Sequence, residues 1–266
     1  MRDILERLAQ GKISVEEAEK ALKLDAIEKI ANIARLDVAR ESRRGVPEIV
    51  LAEDKADEDL MVICASMLEQ TGRAIVSRVN DLQLEKLKNK FGHSHQLKQF
   101  DHAKSLVIKR RGFRTAETDG RVGIITAGTV DLPVAEEAQM IAQEMGCETF
   151  LEADAGIAGI HRLVEPLRRM MENDVDSLIV VAGREGALPT VVAGLVDLPL
   201  IAVPASSGYG YGGEGRAALM AMLQACSLGL AVVNIDSGIA AGVVAAQIAN
   251  RVARARKGSL PDRKVS

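Results

Sequence analysis

From about Arg121 onward one pattern recurs five times: a short, mostly apolar run, a loop of Gly, Ala, Ser and Thr, and a helix-length stretch. The runs lie at 122–126, 147–152, 177–181, 200–203 and 231–234, of which 147–152 (CETFLE) is half polar. The helical stretches fall near 133–145, 160–172, 188–196, 215–228 and 240–255. Short continuous runs of Val, Ile and Leu suit strands buried on both faces. Strands alternating with helices imply βαβ units, and those units require a parallel sheet covered on both sides. The fold class that follows is α/β.

The first 115 residues read differently. Residues 1–40 are expected to be helical: Ile4, Leu5, Leu8 and Ala9 form one face, and Ser14 with Glu17 makes a capping box. Val15, Ala18, Ala21 and Leu22 continue at helical spacing. A further stretch from Asp25 to about Leu36 puts Ile27, Ile30, Ala31 and Ala34 on one side. From Gly45 a small α/β unit is expected, with strands at 47–51, 74–77 and 105–108 and helices at 57–70 and 82–88. The stretch 109–120 is polar, charged and framed by glycines, which marks a domain boundary. The expected organisation is residues 1–115 as N-terminal helices plus a small α/β domain, 120–257 as the catalytic domain, and 258–266 as a tail.

Composition narrows the function classes. With four Phe, two Tyr and no Trp, the chain lacks the aromatics of a single-strand nucleic-acid platform. A net charge of −3 supplies no field for nucleic acid or an anionic membrane. The longest apolar stretches, near 177–182 and 228–235, are shorter than the roughly 20 residues that a membrane span needs. The first residues are charged rather than secretory. Cys64, Cys147 and Cys226 form no C-x-x-C, so free thiols in a reducing cytoplasm are expected. The reading is a cytoplasmic protein with neither nucleic-acid nor membrane partners.

Ligands of open parallel sheets bind beyond the carboxyl ends of the strands. There the first loop carries Gly128, Thr129 and Asp131, followed by Pro133. Asp131 can cap the helix, or it can offer a carboxylate to ribose hydroxyls or a metal. The second loop, 154–162, contains Gly156, Gly159, His161 and Arg162. A helix starting there would present free N–H groups to phosphate. His161 there is either a structural histidine or a further donor. The third loop sets Glu185 between Gly183 and Gly186, a charged residue for which packing gives no reason. The fourth, 204–215, holds Ser206, Ser207, Gly208 and both tyrosines, Tyr209 and Tyr211, whose rings could cover a planar ligand. Glycine richness alone is a weak motif. Neither a Walker lysine motif nor a G-x-G-x-x-G after the first strand is present. Cys226, near the end of the 215–228 helix, is either a small core residue or a reactive thiol. Cys64 and Cys147 lie in apolar patterns and fit the core. His93 and His95 read as solvated loop.

Taken in order, the Gly128–Asp131 turn, Gly159-Ile160-His161-Arg162, Ala182-Gly183 with Leu188-Pro189, and Val203-Pro204 resemble the phosphoribosylaminoimidazole carboxylase pattern of purine biosynthesis. A fuller likeness covers nearly the whole chain, through Gly45-Val46-Pro47-Glu48, 126–137, 154–162, 183–189, 206–210 and 226–238. It is to the LarB family of nickel-pincer cofactor biosynthesis, which serves lactate racemase maturation. The resemblance implies a flavodoxin-like, PurE-like three-layer C-terminal domain. It also implies conversion of nicotinic acid adenine dinucleotide, CO2 and water to pyridinium-3,5-biscarboxylate mononucleotide and AMP.

It assigns Cys226 as nucleophile and Glu185 as acid–base. Gly128, Thr129, Asp131, Gly156, Gly159, His161, Arg162, Gly183 and Gly186 fall to substrate binding, as do Ser206, Ser207, Gly208, Tyr209, Asn234 and Asp236. No tightly bound organic cofactor is implied; CO2 is co-substrate, and Mg is an option at Asp131 or Asp236. The implied assembly is a homo-oligomer, an octamer. Where both families often carry Ser before the aspartate this chain has Val130, so a phosphate contact there falls to Thr129 or to backbone N–H groups. The competing readings are an aminoimidazole ribonucleotide carboxylase or mutase and a non-catalytic nucleotide-binding module.

Overall fold

The structure, a computed structural model, describes residues 2–18, 28–30, 34–37 and 40–258. The chain divides into two compact units. One comprises Met1–Gln99 with Ser105–Phe113, the other Phe100–Lys104 with Arg114–Ser266.

In the first unit, helix α1 (Arg2–Ala9) is followed by the capping box read from the sequence: Glu17 N donates to Ser14 Oγ and Ser14 N to a Glu17 carboxylate oxygen. The expected helix over Asp25–Leu36 does not form where it can be described. Glu28–Ile30 (β1) and Ala34–Leu36 (β2) pair as antiparallel strands instead. The rest of that stretch and Ala21–Leu22 lie outside the described residues. Helical spacing was the misleading signal, because β-branched Ile at 27, 30 and 33 is a poor helix former.

A short helix, α2 (Arg40–Arg44), leads to a four-stranded sheet of order β3-β4-β6-β5. Its strands are β3 (Val50–Leu51), β4 (Arg73–Ser77), β5 (His95–Phe100) and β6 (Ser105–Arg110). Helices α3 (Asp57–Thr71) and α4 (Asp81–Phe91) connect them. Leu60, Ile63, Cys64 and Met67 of α3 and Leu87 and Phe91 of α4 pack on Ala74, Val76, Leu106 and Ile108. Asn80 and Gln83 close a reciprocal capping box that starts α4. Strand β5 takes in His95, where a solvated loop was expected, whereas His93 lies in an exposed turn before it, as expected. Its sequence, HQLKQF, is polar because it is an edge strand with one face in solvent.

In the second unit β7 (Arg121–Thr126), β8 (Glu148–Glu152), β9 (Ser177–Ala182), β10 (Leu200–Pro204) and β11 (Leu230–Val232) form one parallel sheet of order β8-β7-β9-β10-β11. In chain order within the unit this is 2-1-3-4-5, the flavodoxin-like winding, with its switch point between β7 and β9. The central β9 and β10 are buried along their whole length and β7 past its first residue, as their uninterrupted apolar runs require. One face carries α6 (Val164–Glu172), α7 (Leu188–Ala193) and α8 (Arg216–Leu223), where Met170, Leu188, Val192, Ala218 and Met222 pack on Ile125, Leu178, Val180 and Ala202. The other carries α5 (Leu132–Glu144) and α9 (Gly238–Arg256), packed closely on each other.

Three helix boundaries differ from expectation in ways that matter for the site. The second helix begins at Val164 rather than Ile160. Residues Ile157–Leu163 form a 3-10 segment broken at Gly159, so no α-helix N-terminus is offered at His161. Helix α7 ends at Ala193. Helix α8 ends at Leu223, which leaves Cys226 beyond it, exposed, rather than inside a helix.

Candidate active site

Each parallel strand delivers its loop to the carboxyl end of the sheet, and the loops are tied together there. Thr126, fully buried at the end of β7, donates through Oγ1 to Gly128 O (2.8 Å) and accepts from Asp154 N at 3.4 Å, joining the first loop to the second. Thr126 had not been singled out from the sequence. Its signal is a hydroxyl at the last position of an otherwise apolar strand.

Asp131 does not cap α5. Its backbone is helical, in the short turn Thr129–Asp131 that precedes the helix, and its side chain makes no cap bond. It is 2% exposed. One carboxylate oxygen accepts from Gly128 N at 2.9 Å and the other from Ser207 Oγ at 2.6 Å. A buried carboxylate therefore bridges the first and fourth loops. Ser206 N donates to Asp236 Oδ1 at 2.8 Å, which brings the fifth loop in, and Asp236 N donates to Pro204 O.

Close backbone approach completes the mouth. A Cβ on Gly183 would stand 2.3 Å from Ser207 Oγ, and one on Gly208 2.7 Å from Arg184 N, so the third and fourth loops touch only because both positions lack side chains. Arg184, Asp154 and Asp236 hold left-handed backbones, with φ of 48°, 60° and 53°. Asp tolerates this conformation; Arg has no such local compensation. The Arg184 guanidinium lies 4.1 Å from the Tyr209 ring centroid, a cation–π stack at the mouth; of the two, only Tyr209 is singled out by the sequence.

The electrostatics are uneven. Burial pushes the Asp131 carboxyl above its ordinary range, and the nearby charge of Asp236 adds to this. The bonds from Ser207 and Gly128 work against it without cancelling it. A carboxyl raised in the folded state contributes stability that is full below the unfolded value and lost as pH rises through the folded one, so at neutral pH Asp131 is a cost. In Asp131→Asn the amide oxygen can accept from Gly128 N while the NH2 donates to Ser207 Oγ. This variant is expected to melt at or above wild type at neutral pH. The gap should close as pH falls toward about 4, which thermal melts across that range would check.

The loops thus gather Gly128, Asp131, Gly156, Gly183, Ser206, Ser207, Gly208, Tyr209 and Asp236 with Thr126, Asp154 and Arg184. Thr129, Glu185 and Asn234 are exposed on the same loops. Arg162 is taken up by Asp154 Oδ2 at 2.9 Å, and His161 is exposed on the broken segment beside it. Within one chain Cys226 is not brought to this mouth: it follows the far end of α8, three residues before Gly229, whose carbonyl accepts from Leu200 N at the amino-terminal start of β10. Cys64 and Cys147 are buried, which pushes their thiols up to about 12 and about 11, so they behave as the core residues their patterns suggested. Among the described residues no group of three or more His, Cys, Asp or Glu could hold a metal ion, and no helix is long and apolar enough to cross a membrane.

Comparison with known proteins follows this division. A family model described as AIR carboxylase matches residues 121–264, and one described as LarB/PurE-like N-terminal domain matches residues 27–110. An uncharacterized protein of Methanocaldococcus jannaschii is 44% identical over 254 residues, covering 94% of this chain and 96% of its own length. The N5-carboxyaminoimidazole ribonucleotide mutase of the same organism is 34% identical over 127 residues, 47% of this chain and 76% of the mutase. That of Thermotoga maritima is 30% identical over 128 residues, 48% and 74% of the two chains.

Proposed function

Because the chain belongs to the LarB family, with an AIR carboxylase domain behind a LarB-type N-terminal domain, we propose that it carboxylates and hydrolyses nicotinic acid adenine dinucleotide. The products are pyridinium-3,5-biscarboxylate mononucleotide and AMP, in nickel-pincer cofactor biosynthesis. The observation that carries this reading is the tied mouth of the parallel sheet, read together with family matches that span both halves of the chain.

The chemistry sets what the residues must do. A pyridinium ring is electron-poor and does not attack CO2. The Cys226 thiolate, which one chain alone does not bring to the mouth and a neighbouring copy would have to supply, adds to the ring carbon beside nitrogen, forming a C–S bond and moving an electron pair onto that nitrogen. The resulting dienamine attacks CO2 from the neighbouring carbon, C5, forming the new C–C bond. Glu185 takes the C5 proton, and the nitrogen lone pair then expels the thiolate and restores the aromatic pyridinium. The net change is C5–H to C5–carboxylate with one proton released.

Arg184, stacked on Tyr209, lies at the mouth where the ring carboxylate or a phosphate needs a cation, with Thr129, Arg162, His161 and backbone N–H groups as further donors. Asp131 acts as the strut that aims Ser207 and the Gly128 turn. Asp131 and Asp236 each spend carboxylate oxygens on neighbouring groups, so they do not form a ready cage for Mg2+, and no step here is routed through one.

The test supplies nicotinic acid adenine dinucleotide and labelled bicarbonate and looks by mass spectrometry for AMP and the labelled dicarboxylated mononucleotide. Wild type should form both, and Glu185→Gln should slow the carboxylated product by roughly 100- to 10,000-fold. A second reading is favoured by the likeness of residues in the C-terminal half to the mutases: action on a carboxyaminoimidazole ribonucleotide. Turnover of that ribonucleotide, with the dinucleotide left intact, would replace the first reading by the second.

A further inference from the structure

We propose that the face of Tyr209 is the seat of a flat cationic ring and that the Arg184 guanidinium stands in for that ring. The incoming ring displaces the guanidinium, which then pairs with the carboxylate that the ring carries. This deepens the function proposed above and rests on it, and it makes these two residues the ones that select a pyridinium carboxylate.

The two side chains meet because their backbones do. Arg184 lies in the loop after β9 and Tyr209 in the loop after β10, and those strands are hydrogen-bonded neighbours. The glycine contacts described above set the residue before Arg184 against Ser207 and the residue before Tyr209 against Arg184 N. Both side chains therefore leave one fixed point, and 4.1 Å is close for a cation over an aromatic face. Arg184 also stands in the left-handed region, with φ of 48°, a conformation that glycine holds at no steric cost. Gly186, two residues on, meets the same demand as a glycine. The arginine is exposed and lies on a ring that is 77% exposed, so packing does not account for the strain. What the position retains is the cationic head group.

A guanidinium and an N-ribosylated pyridinium share what an aromatic face reads. Both are flat, and both spread one positive charge over the plane, so the Tyr209 quadrupole attracts either on the same ground. An exposed contact of this kind is weak, and a ring delivered with a tethered phosphate can displace the guanidinium. The freed head group keeps its planar fork of donors, which a ring carboxylate accepts through both oxygens. One cation thus replaces another on Tyr209, and a charge-assisted pair forms beside it. A neutral ring offers the aromatic face less than the guanidinium already does, and it is left competing with Arg184.

Tyrosine emission reads this exchange without turnover. The chain has two tyrosines and no tryptophan, so in Tyr211→Phe the emission comes from Tyr209 alone. Nicotinic acid mononucleotide, whose ring is an electron-poor cation, should quench it saturably. Uridine monophosphate, with a neutral ring and no carboxylate, should bind at least about tenfold more weakly by calorimetry. Tyr209→Leu should remove the preference for a cationic over a neutral ring, and a preference that survives would overturn the proposal.

Arg184→Met separates the two roles by sign. Nicotinamide mononucleotide keeps the cationic ring and has an amide in place of the carboxylate. Freed of its competitor, it should bind the variant about two- to fivefold more tightly than wild type. Nicotinic acid mononucleotide loses its carboxylate partner and should bind roughly tenfold more weakly. A role confined to shaping the loop would shift both alike. Equal weakening of both, in a variant that melts like wild type, would put Arg184 on the phosphate and overturn the proposal. Binding by calorimetry with Tyr209 emission unchanged would overturn it too and leave the function standing. The expected charge preference, in a wild type that leaves the dinucleotide uncarboxylated, would sustain the proposal and count against the function.

Discussion

Replacing Cys226 by alanine is expected to suppress the dicarboxylated mononucleotide by on the order of 10^4-fold or more, the scale of loss seen when a covalent nucleophile is removed. The loss should fall on the chemical step. If the mouth loops hold the dinucleotide as proposed, its binding should change little, and a KM near wild type beside a collapsed kcat is the expected signature. The fold should be indifferent to the change, because Cys226 lies on the surface in a loop whose anchoring bonds come from Ser227 and Gly229. Small alkylating agents give an orthogonal check. Cys64 and Cys147 are buried with raised thiol pKa values, so native labelling should reach Cys226 first and the other two only after unfolding. A Cys226→Ala enzyme with wild-type product formation would remove the covalent mechanism.

The largest expected effect on stability lies at Gly242. On α9 a Cβ at this position would fall 2.2 Å from Ile141 Cγ2 and 2.5 Å from the Ala138 carbonyl oxygen, and at Gly238 one would fall 2.2 Å from the Val134 carbonyl. Helices α5 and α9 thus approach backbone to side chain, with Ala245, Ala246 and Ala249 continuing the small-residue stripe. Two effects compete in Gly242→Ala. Alanine gains about 1 kcal/mol of helix propensity, but the overlap with a carbonyl cannot be relieved by rotating a side chain. Overpacking of this kind costs about 1–3 kcal/mol, and the backbone contact puts this position at the upper end. Gly242→Ala should melt several degrees below wild type, on the order of 2–4 °C per kcal/mol for a unit of this size. Gly242→Leu should not yield a folded C-terminal unit. Val244→Ala, on a partly exposed position of the same helix, is the control and should melt close to wild type.

How far the sequence could be read depended on what each residue answers to. The strands at 122–126, 177–181 and 200–203 were legible because a strand buried on both faces must be apolar throughout. β5 was not, because an edge strand of sequence HQLKQF carries no such demand. Asp131 was legible as a position of interest but not in its role. A carboxylate before a helix ordinarily caps it, and only the return of the fourth loop shows that its partner is Ser207, 76 residues away. The Gly183–Ser207 and Gly208–Arg184 approaches explain why glycine recurs in those loops, a reason no spacing rule supplies. The end of α8 was misplaced by five residues, and with it the position of Cys226. Helix propensity runs on through Gln224 and Ala225, whereas the Ser227–Thr190 bond and the left-handed Gly229 turn the chain earlier.

The cross-tied mouth has a thermodynamic consequence. Asp154, Arg184 and Asp236 hold their loops in left-handed conformations, and the bonds among Thr126, Asp131, Ser207 and Ser206 lock those loops to one another without help from a ligand. Ordering that is complete at folding is not charged again at binding. The mononucleotide portion of a ligand should therefore associate with a small heat-capacity change and little conformational entropy loss in these loops. The same stiffness prevents the mouth from widening, so ligands that differ in ring width should be rejected by shape.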